Sequence, residues 1–352
     1  MDIPQNAEII TGIRSFVEPQ PDLDGACVLV TGGTGSFGQK LVATLLERFN
    51  LRKLIVFSRD EQKQYEMQHA FPIQLYDCLR FFIGDVRDRD RLELAMREVD
   101  YVVHAAALKH VPTAEYNPFE CIHTNVYGAE NVVQAALRTG VKRVIALSTD
   151  KAANPINLYG ASKLAADKIF VAANHLSGTL GTRFSVVRYG NVVGSRGSVV
   201  PFFKKKIAEG ATSLPITDAR MTRFWITLQQ GVDFVLSSLS MASGGEIFVP
   251  KIPSLKITDL ALSISESASH EITGIRPGEK IHEVLVTSDD AHNTVVLGDR
   301  YIIRPRPMDG FNTAKTWDKC EPVAEDFEYA SNTNDEWLDP PSMRALLEST
   351  DG

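Results

Sequence analysis

Short apolar runs alternate with longer helical patterns through the first half of the chain. The runs are rich in β-branched residues and read as strands, and they cover residues 27–31, 51–57, 80–84, 101–107, 141–147 and 183–189. Apolar residues at helical spacing fill the intervals, most clearly over residues 118–138. Because strand and helix alternate, the pattern predicts an α/β fold built on a doubly wound, parallel Rossmann sheet.

The pattern becomes irregular from about residue 198. Residues 202–208 read as a helix, 214–217 as an extended segment and 245–250 as a last strand of the sheet. From residue 308 onward the sequence is polar and poorly periodic, so we expect a loosely packed tail that ends in one helix near residues 343–347.

A chain of 352 residues is long for a single hydrophobic core. We therefore expect a Rossmann domain with a smaller C-terminal substrate domain. The predicted parts are an N-terminal arm over residues 1–24, the Rossmann domain over 25–190 and the substrate region over 191–352, of which about 226–252 return to the Rossmann domain.

A glycine-rich turn follows the first predicted strand and precedes a helical pattern. Glycines at 32, 35 and 38 let the backbone approach a pyrophosphate closely, and the free N–H groups of a helix start attract the anion. Turns in general also use glycine, but the position between strand and helix favours a dinucleotide site. Its candidate residues are Gly32, Thr34, Gly35, Ser36, Phe37 and Gly38.

The end of the second predicted strand bears on the choice of cofactor. NAD-binding chains usually place a carboxylate there, about 20 residues past the glycines, whereas an arginine suits the 2′-phosphate of NADP. Ser58 and Arg59 therefore favour NADP. In the alternative interpretation, Asp60 caps the next helix and Arg59 is merely exposed.

Further candidate cofactor contacts follow the later predicted strands. A short polar side chain there can bind the edge of the adenine, and small side chains leave space for the cofactor. These candidates are Lys63, Asp85, Val86, Ala105, Ala107 and Val192.

The stretch from residue 146 to 163 carries the strongest chemical signal. Thr149, Asp150 and Lys151 end a predicted strand, and Tyr159 and Lys163 follow at a spacing of four on a predicted helix. That spacing puts the last two side chains on one helix face, where the ammonium can lower the pKa of the phenol or hold the ribose of a cofactor. We interpret the stretch as one catalytic site.

Three other features have alternative interpretations. Lys109, at the ligand side of the fourth strand, is a candidate for a substrate phosphate or hydroxyl, whereas the neighbouring His110 is more often structural. Asn125, inside the 118–138 helix, either holds a water or a kink or is a satisfied core amide. A turn over residues 274–280 carries three charges, which is more than a simple turn needs.

Composition and net charge limit which partners the protein can bind and in which cellular compartment we expect it. A net charge of −7 argues against a bulk nucleic-acid binder. The four cysteines have no metal-like spacing, so we expect no metal site and a reducing compartment. No segment has the signature of a signal peptide or the ~18 apolar residues of a membrane span. We therefore expect a cytoplasmic protein without membrane contact.

These motifs together resemble the extended short-chain dehydrogenase/reductases. The glycine turn, the Tyr-Gly-Ala-Ser-Lys sequence and the late substrate region carry the resemblance. A more specific similarity, to the inverting UDP-N-acetylglucosamine 4,6-dehydratases that begin pseudaminic-acid synthesis, rests on residues 58–61, 104–110, 148–163, 191–201, 221–227 and 275–283.

The resemblance implies a lyase with a tightly bound NADP that is regenerated in each cycle. It also implies UDP-N-acetylglucosamine as substrate and a homo-oligomer, often a hexamer. The residues that it places along the UDP-sugar are Lys109, Asn191, Arg196, Thr217, Arg223, Arg276 and Glu279. Arginine suits the diphosphate because its forked donors match the phosphate oxygens.

The implied reaction assigns roles to the catalytic stretch. Tyr159 deprotonates the sugar 4-hydroxyl, C4 gives a hydride to NADP⁺, the C5 proton and the C6 hydroxyl leave, and the hydride returns to C6. Lys151 stands where retaining relatives carry Glu, and it can be the C5 base only if neutral. Burial with Lys163 and the nicotinamide could lower its pKa, while Asp150 needs a raised pKa to donate a proton. Tyr159 then reprotonates C5 on the opposite face, which inverts that centre.

Three alternatives stay open. Asp150 and Lys151 could form a plain surface ion pair. The enzyme could be a UDP-sugar 4-epimerase or a bifunctional dehydratase and 5-epimerase, although a 4-epimerase needs no proton transfer at C5. A non-catalytic module that senses NADP is disfavoured because Tyr159 and Lys163 are both intact.

Overall fold

The apolar runs form strands because β-branched side chains pack well on a sheet that is covered on both faces. The computed structural model describes residues 14–178, 181–195, 197–305 and 315–350. Its strands are β1 Cys27–Thr31, β2 Lys53–Ser58, β3 Leu79–Ile83, β4 Tyr101–His104, β5 Arg143–Thr149, β6 Arg183–Tyr189, β7 Asn191–Val192, β8 Ser213–Ile216, β9 Thr222–Ile226, β10 Ile247–Pro250, β11 Ser254–Lys256, β12 Ser269–Ile272, β13 Val284–Val286, β14 Thr294–Leu297, β15 Arg300–Ile303, β16 Glu321–Pro322 and β17 Tyr329–Ala330.

The helices occupy most of the intervals between the early strands. They are α1 Ser36–Arg48, α2 Glu61–Ala70, α3 Arg89–Ala95, α4 Val111–Tyr116, α5 Pro118–Ile122, α6 Gly128–Thr139, α7 Leu158–Leu176, α8 Val199–Ala208, α9 Leu228–Met241, α10 Ile257–Ile264, α11 Ser288–Ala291 and α12 Pro340–Thr350.

The main sheet has ten strands within the described residues. Their order is β16-β14-β15-β10-β6-β5-β4-β1-β2-β3. From β3 to β10 every neighbouring pair is parallel, which confirms the predicted Rossmann sheet and its late strand near residues 245–250. An antiparallel extension of β15, β14 and β16 was not predicted.

The helix that was predicted over residues 118–138 is divided. A π-helical segment, His123–Tyr127, separates α5 from α6. Asn125 lies in this segment, and its amide accepts from the Leu108 N–H at 2.8 Å and donates to the Leu108 carbonyl at 3.0 Å and to Ser162 Oγ at 2.9 Å. Asn125 is therefore a satisfied buried amide that lies at an irregularity of the helix.

Two hydrophobic cores organise the described chain. The larger core surrounds the parallel sheet and includes residues of α9 and β10. The smaller core joins α8, β8, β9, α10 and α12 around Trp225. The domain boundaries stay a prediction, but this arrangement puts residues 228–250 with the main sheet.

Residues 14–24 lie against the larger core. The side chains of Phe16 and Leu23 are fully buried, and the Phe16 ring meets Phe234 of α9 edge to face at 5.1 Å. Arg14 pairs with Glu336 in the C-terminal segment. This part of the predicted arm therefore connects the larger core to the C-terminal segment.

The expectation of a loose C-terminal tail is wrong for residues 315–350. Tyr329 and Ser331 are buried, and the Tyr329 hydroxyl donates to the Ile252 carbonyl at 2.9 Å. The final helix is longer than predicted and buries Met343 in the smaller core. Within the described residues, no helix is both long and apolar enough to cross a membrane.

Candidate active site

A cavity of about 690 Å³ opens at the carboxyl ends of the parallel strands. Open α/β sheets bind ligands at this edge. The structure brings to this cavity every candidate catalytic and cofactor-binding residue, although the role of each stays a prediction: Gly32, Thr34, Gly35, Ser36, Phe37, Gly38, Ser58, Arg59, Asp60, Lys63, Asp85, Val86, Ala105, Ala107, Thr149, Asp150, Lys151, Tyr159, Lys163 and Val192.

The glycine turn forms a tight cradle between β1 and α1. Gly32 has φ +67°, and a Cβ there would lie 2.8 Å from the Ala106 nitrogen. A Cβ on Gly38 would lie 2.5 Å from the Gly33 Cα. Because side chains are excluded at both positions, the backbone stays open to a phosphate group at the start of α1. The local structure thus fits a dinucleotide.

The end of β2 agrees partly with both interpretations of that segment. Asp60 caps α2 by accepting from the Lys63 N–H at 3.0 Å, and it pairs with Lys63 Nζ at 2.9 Å. The hydrogen bond from the Lys63 N–H and the contact with the Lys63 ammonium both lower the pKa of Asp60. Arg59 is more than half exposed, lies 3.7 Å from Asp85 and still lines the cavity. A cation is therefore available at this end of the site.

Helix α7 presents Tyr159 and Lys163 to the cavity. Asn157 caps the helix by accepting from the Gly160 N–H at 2.8 Å. Burial raises the pKa of Tyr159 to about 12, although the charge of Lys151 and a hydrogen bond with Thr149 oppose that rise. Burial lowers the pKa of Lys163, against the attraction of Asp167.

A 3₁₀ turn over Asp150–Ala152 sets the position of the other catalytic pair. Asp150 Oδ1 accepts from Thr149 Oγ1 at 2.9 Å and from Lys151 Nζ at 3.1 Å. Asp150 is 1% exposed, so it does not form the surface ion pair of the alternative interpretation. Asp150 Oδ2 is buried without a hydrogen-bond partner among the described residues.

The expected fall in the pKa of Lys151 is wrong for the free protein. Burial lowers that pKa, but the carboxylates of Asp150 and Glu283 outweigh burial and raise it above its ordinary value. Lys151 is therefore an ammonium ion in the resting site. The second carboxylate, Glu283, comes from a distant part of the sequence, which is why a fall in the pKa of Lys151 was expected.

Glu283 is the main residue that the sequence-based site did not include. Its side chain is 2% exposed and lies 3.2 Å from Lys151 Nζ, 3.7 Å from Arg223 Nε and 3.9 Å from Lys280 Nζ. A glutamate directly before the apolar run of β13 was the available signal. Trp225 was also missed; it lines the cavity, and its buried Nε1 has no partner among the described residues.

The candidate substrate residues separate into groups. Lys109 and Asn191 line the cavity, whereas Arg223 does not line it and contacts Glu283, which in turn contacts Lys151. Thr217, Arg276 and Glu279 do not line it, and the last two form an ion pair with each other in an exposed turn. Arg196 lies outside the described residues. Binding of UDP-sugar by these side chains stays a prediction.

Comparison with known proteins agrees with this geometry. A family model described as polysaccharide biosynthesis protein matches residues 28–305, most of the chain. The chain belongs to the polysaccharide biosynthesis protein family. This family member is 54% identical to a Campylobacter jejuni protein named UDP-N-acetylglucosamine 4,6-dehydratase (inverting), over 94% of this chain and 99% of that protein.

Two further relatives of this polysaccharide biosynthesis protein frame the alternatives. A Rickettsia akari protein named UDP-glucose 4-epimerase is 42% identical over 92% of this chain and 96% of that protein. The X-ray structure of Pen from Bacillus thuringiensis has a TM-score of 0.85 at 35% identity, covering 94% of this chain and 98% of that chain. The relatives of this chain therefore include a protein named as a 4,6-dehydratase and a protein named as a 4-epimerase.

Proposed function

We propose that the protein is an NADP-dependent, C5-inverting UDP-N-acetylglucosamine 4,6-dehydratase. The product is UDP-2-acetamido-2,6-dideoxy-β-L-arabino-hex-4-ulose. The observation that carries the proposal is the partly buried contact of Asp150 with Lys151 at 3.1 Å in the cavity that also holds Tyr159 and Lys163. The name of the Campylobacter jejuni relative supports the same activity.

The cofactor proposal rests on the cradle and on the end of β2. Gly32 and Gly38 exclude side chains where a pyrophosphate would lie, and Arg59 with Lys63 offers positive charge for a 2′-phosphate. A bound nicotinamide supplies the acceptor, and later the donor, of one hydride. Lys163 is placed on α7 one turn from Tyr159, where it can hold the ribose.

Tyr159 carries the first proton transfer of the proposed reaction. With a pKa of about 12 in the free protein, its phenol is protonated at neutral pH. The phenol therefore first loses its proton to solvent, and the phenolate, which the nearby charge of Lys151 stabilises, takes the proton of the sugar 4-hydroxyl. Oxidation at C4 then acidifies the C5 proton of the sugar.

Asp150 and Lys151 carry the dehydration. Transfer of one proton from Lys151 to Asp150, across 3.1 Å, converts the ion pair into a neutral amine and a carboxylic acid. The amine accepts the C5 proton and the acid protonates the departing C6 oxygen, which regenerates the ion pair and releases one water. Reprotonation at C5 on the opposite face, for which we propose Tyr159, inverts that centre.

The experiment that tests the function is incubation of the purified protein with UDP-N-acetylglucosamine and NADP⁺. We expect a product lighter by one water, no net NADPH, and inverted C5 configuration by NMR. Lys151→Ala should reduce product formation by about 10²-fold or more, because proton transfer by a positioned group contributes on that order. A product of unchanged mass that is epimerised at C4 would instead establish the epimerase.

We further propose that the protein acts in the cytoplasm as a homo-oligomer. Both statements rest on the resemblance that is carried by its sequence motifs.

A further inference from the structure

Glu283 is a buried carboxylate to which the proposed reaction gives no role. Its Oε1 faces Lys151 Nζ at 3.2 Å and Arg223 Nε at 3.7 Å. Its Oε2 lies 3.9 Å from Lys280 Nζ and has no hydrogen-bond partner among the described residues. Burying a carboxylate is costly unless nearby cations compensate it. Its position therefore needs an explanation beyond packing.

The backbone of Glu283 is fixed from the C-terminal segment. Its N–H donates to Ser331 Oγ at 2.9 Å, and its carbonyl accepts from the Ser331 N–H at 2.8 Å. Ser331 Oγ also contacts Thr222 Oγ1 at 2.7 Å, next to Arg223 in β9. The carboxylate is thus placed by elements that follow the Rossmann strands in sequence.

Lys151 is fixed independently, from the end of β5. Its N–H donates to Thr149 Oγ1 at 3.3 Å, and its carbonyl lies against Gly160 of α7. The Lys151 side chain is one-quarter exposed, so its ammonium faces the cavity while it touches two carboxylates. The contact with Glu283 joins the reacting turn to the C-terminal segment.

We propose that Glu283 is a positioning residue that holds Lys151 over the cavity and stabilises its ammonium form. The inference rests on the proposed function, in which Lys151 becomes an ammonium ion as it takes the C5 proton. A fixed anion at this place favours that step because it is already oriented toward the developing charge. Arg223 and Lys280 lie within 4 Å of the Glu283 carboxylate and offset part of the cost of burying it.

Other charged groups around Lys151 act in both directions. The carboxylate of Asp150 raises the pKa of Lys151 and the guanidinium of Arg223 lowers it. The charge of Lys151 in turn lowers the pKa of Tyr159. Removal of the Glu283 charge should therefore lower the pKa of Lys151, although Asp150 still supports the ammonium. A role of Glu283 in packing alone would leave that pKa unchanged.

The direct test measures the rate at which acetic anhydride labels Lys151 at a fixed pH near 9, by mass spectrometry of its peptide. The proteins are the wild type, Glu283→Gln and Glu283→Asp, with Asp289→Asn as a control that removes one exposed carboxylate six residues further along the chain. We expect the labelling rate to rise about tenfold or more in Glu283→Gln, because a lower pKa leaves more of the amine neutral at that pH. It should rise less in Glu283→Asp and stay unchanged in Asp289→Asn.

The kinetic test uses the same variants with UDP-N-acetylglucosamine. In Glu283→Gln we expect kcat to fall about tenfold with KM within about threefold, and the Lys151 limb of the pH–rate profile to move to lower pH. Glu283→Asp should recover part of kcat.

An unchanged labelling rate in folded Glu283→Gln would overturn the inference. If that variant does not fold, wild-type labelling in Glu283→Asp overturns it. Because labelling needs no substrate, a protein that removes no water from the sugar defeats the proposed function while the labelling result still decides the role of Glu283.

Discussion

The pKa values of two lysines in the site are shifted in opposite directions because their neighbours differ. Burial lowers the pKa of Lys163, whereas the carboxylates beside Lys151 raise its pKa despite burial. The spacing of Tyr159 and Lys163 on one helix is a local property, so the sequence could predict it. The partnership of Lys151 with Glu283 depends on tertiary folding, and no local pattern specifies it.

His104 shows a third effect of burial at the scale of one residue. It ends β4 and its Nδ1 lies 2.8 Å from Thr31 Oγ1. Burial, reinforced by the charge of Lys163, lowers the pKa of His104 to about 3. A histidine at a strand end has no distinctive sequence pattern, so no role was predicted for this residue.

The first prediction concerns the contribution of His104 to acid stability. In the unfolded chain its pKa is about 6.5, so between pH 6.5 and 3 the unfolded state binds one more proton. The free energy of unfolding therefore falls as the pH falls, by up to about 1.4 kcal/mol per unit from this residue. We expect His104→Asn to be less stable than the wild type at pH 7.

Urea unfolding from pH 7 to pH 5 tests this prediction. The stability deficit of His104→Asn should shrink by about 1 kcal/mol or more at pH 5, because asparagine binds no proton. Parallel stability curves for the two proteins over this range would contradict it.

At the scale of elements, the strand–turn–helix at residues 27–48 could be predicted because its signals are adjacent in sequence. The π-helical segment could not, since it depends on contacts of Asn125 with Leu108 and with Ser162 on another helix. Likewise, Gly160 looks in sequence like an ordinary residue between Tyr159 and Lys163. In the structure it is the point where α7 touches the reacting turn.

The second prediction concerns that contact. A Cβ on Gly160 would lie 2.2 Å from the Lys151 carbonyl oxygen, so either α7 or the turn must shift in Gly160→Ala. Since Tyr159 and Lys151 sit on the two sides of the contact, we expect kcat to fall by about 10²-fold, the scale of a small misplacement of catalytic groups. The protein should still fold.

Steady-state kinetics with a thermal unfolding control test Gly160→Ala. The matched control is Gly140→Ala, at the end of α6, where open space surrounds the added Cβ but φ is +74°. That variant should lose stability through backbone strain and keep kcat. Equal kcat in Gly160→Ala and the wild type would show that the contact does not position the site.

At the scale of the whole molecule, several segments of the C-terminal half pack against the Rossmann half. Strands β14 to β16 extend the main sheet, and Glu283 enters the site. The sequence predicted the parallel sheet because its strands are continuous apolar runs rich in β-branched residues. The sequence did not predict these contacts between the halves. Short strands such as β13 and β17 have little hydrophobic periodicity, and their structure depends on tertiary pairing.

Arg188 is a buried connection between the halves. Its side chain is 2% exposed and lies 3.3 Å from Asp167 of α7, and it donates to the Leu285 carbonyl of β13 at 3.0 Å. Asp167 also accepts from Ser148 Oγ at 2.8 Å. The pair therefore joins α7 and β6 to a strand of the C-terminal segment.

The third prediction is that Asp167→Asn destabilises the whole molecule. Removal of one partner of a buried ion pair leaves an uncompensated charge and typically costs about 3–5 kcal/mol. We expect a value near the lower end, since Asp290 lies 3.9 Å from Arg188 and compensates in part. Because Arg188 contacts both the Rossmann half and the C-terminal half, we expect the two halves of this variant to unfold in one transition.

Urea unfolding followed by fluorescence and by circular dichroism provides the measurement. The matched control is Glu266→Gln, which breaks the exposed pair with Arg344 and should change the free energy of unfolding by less than about 1 kcal/mol. If Asp167→Asn is no less stable than this control, Arg188 does not depend on Asp167 for its charge compensation. If the two probes give separate transitions in the wild type, the halves are independent units, and the buried contact does not couple them.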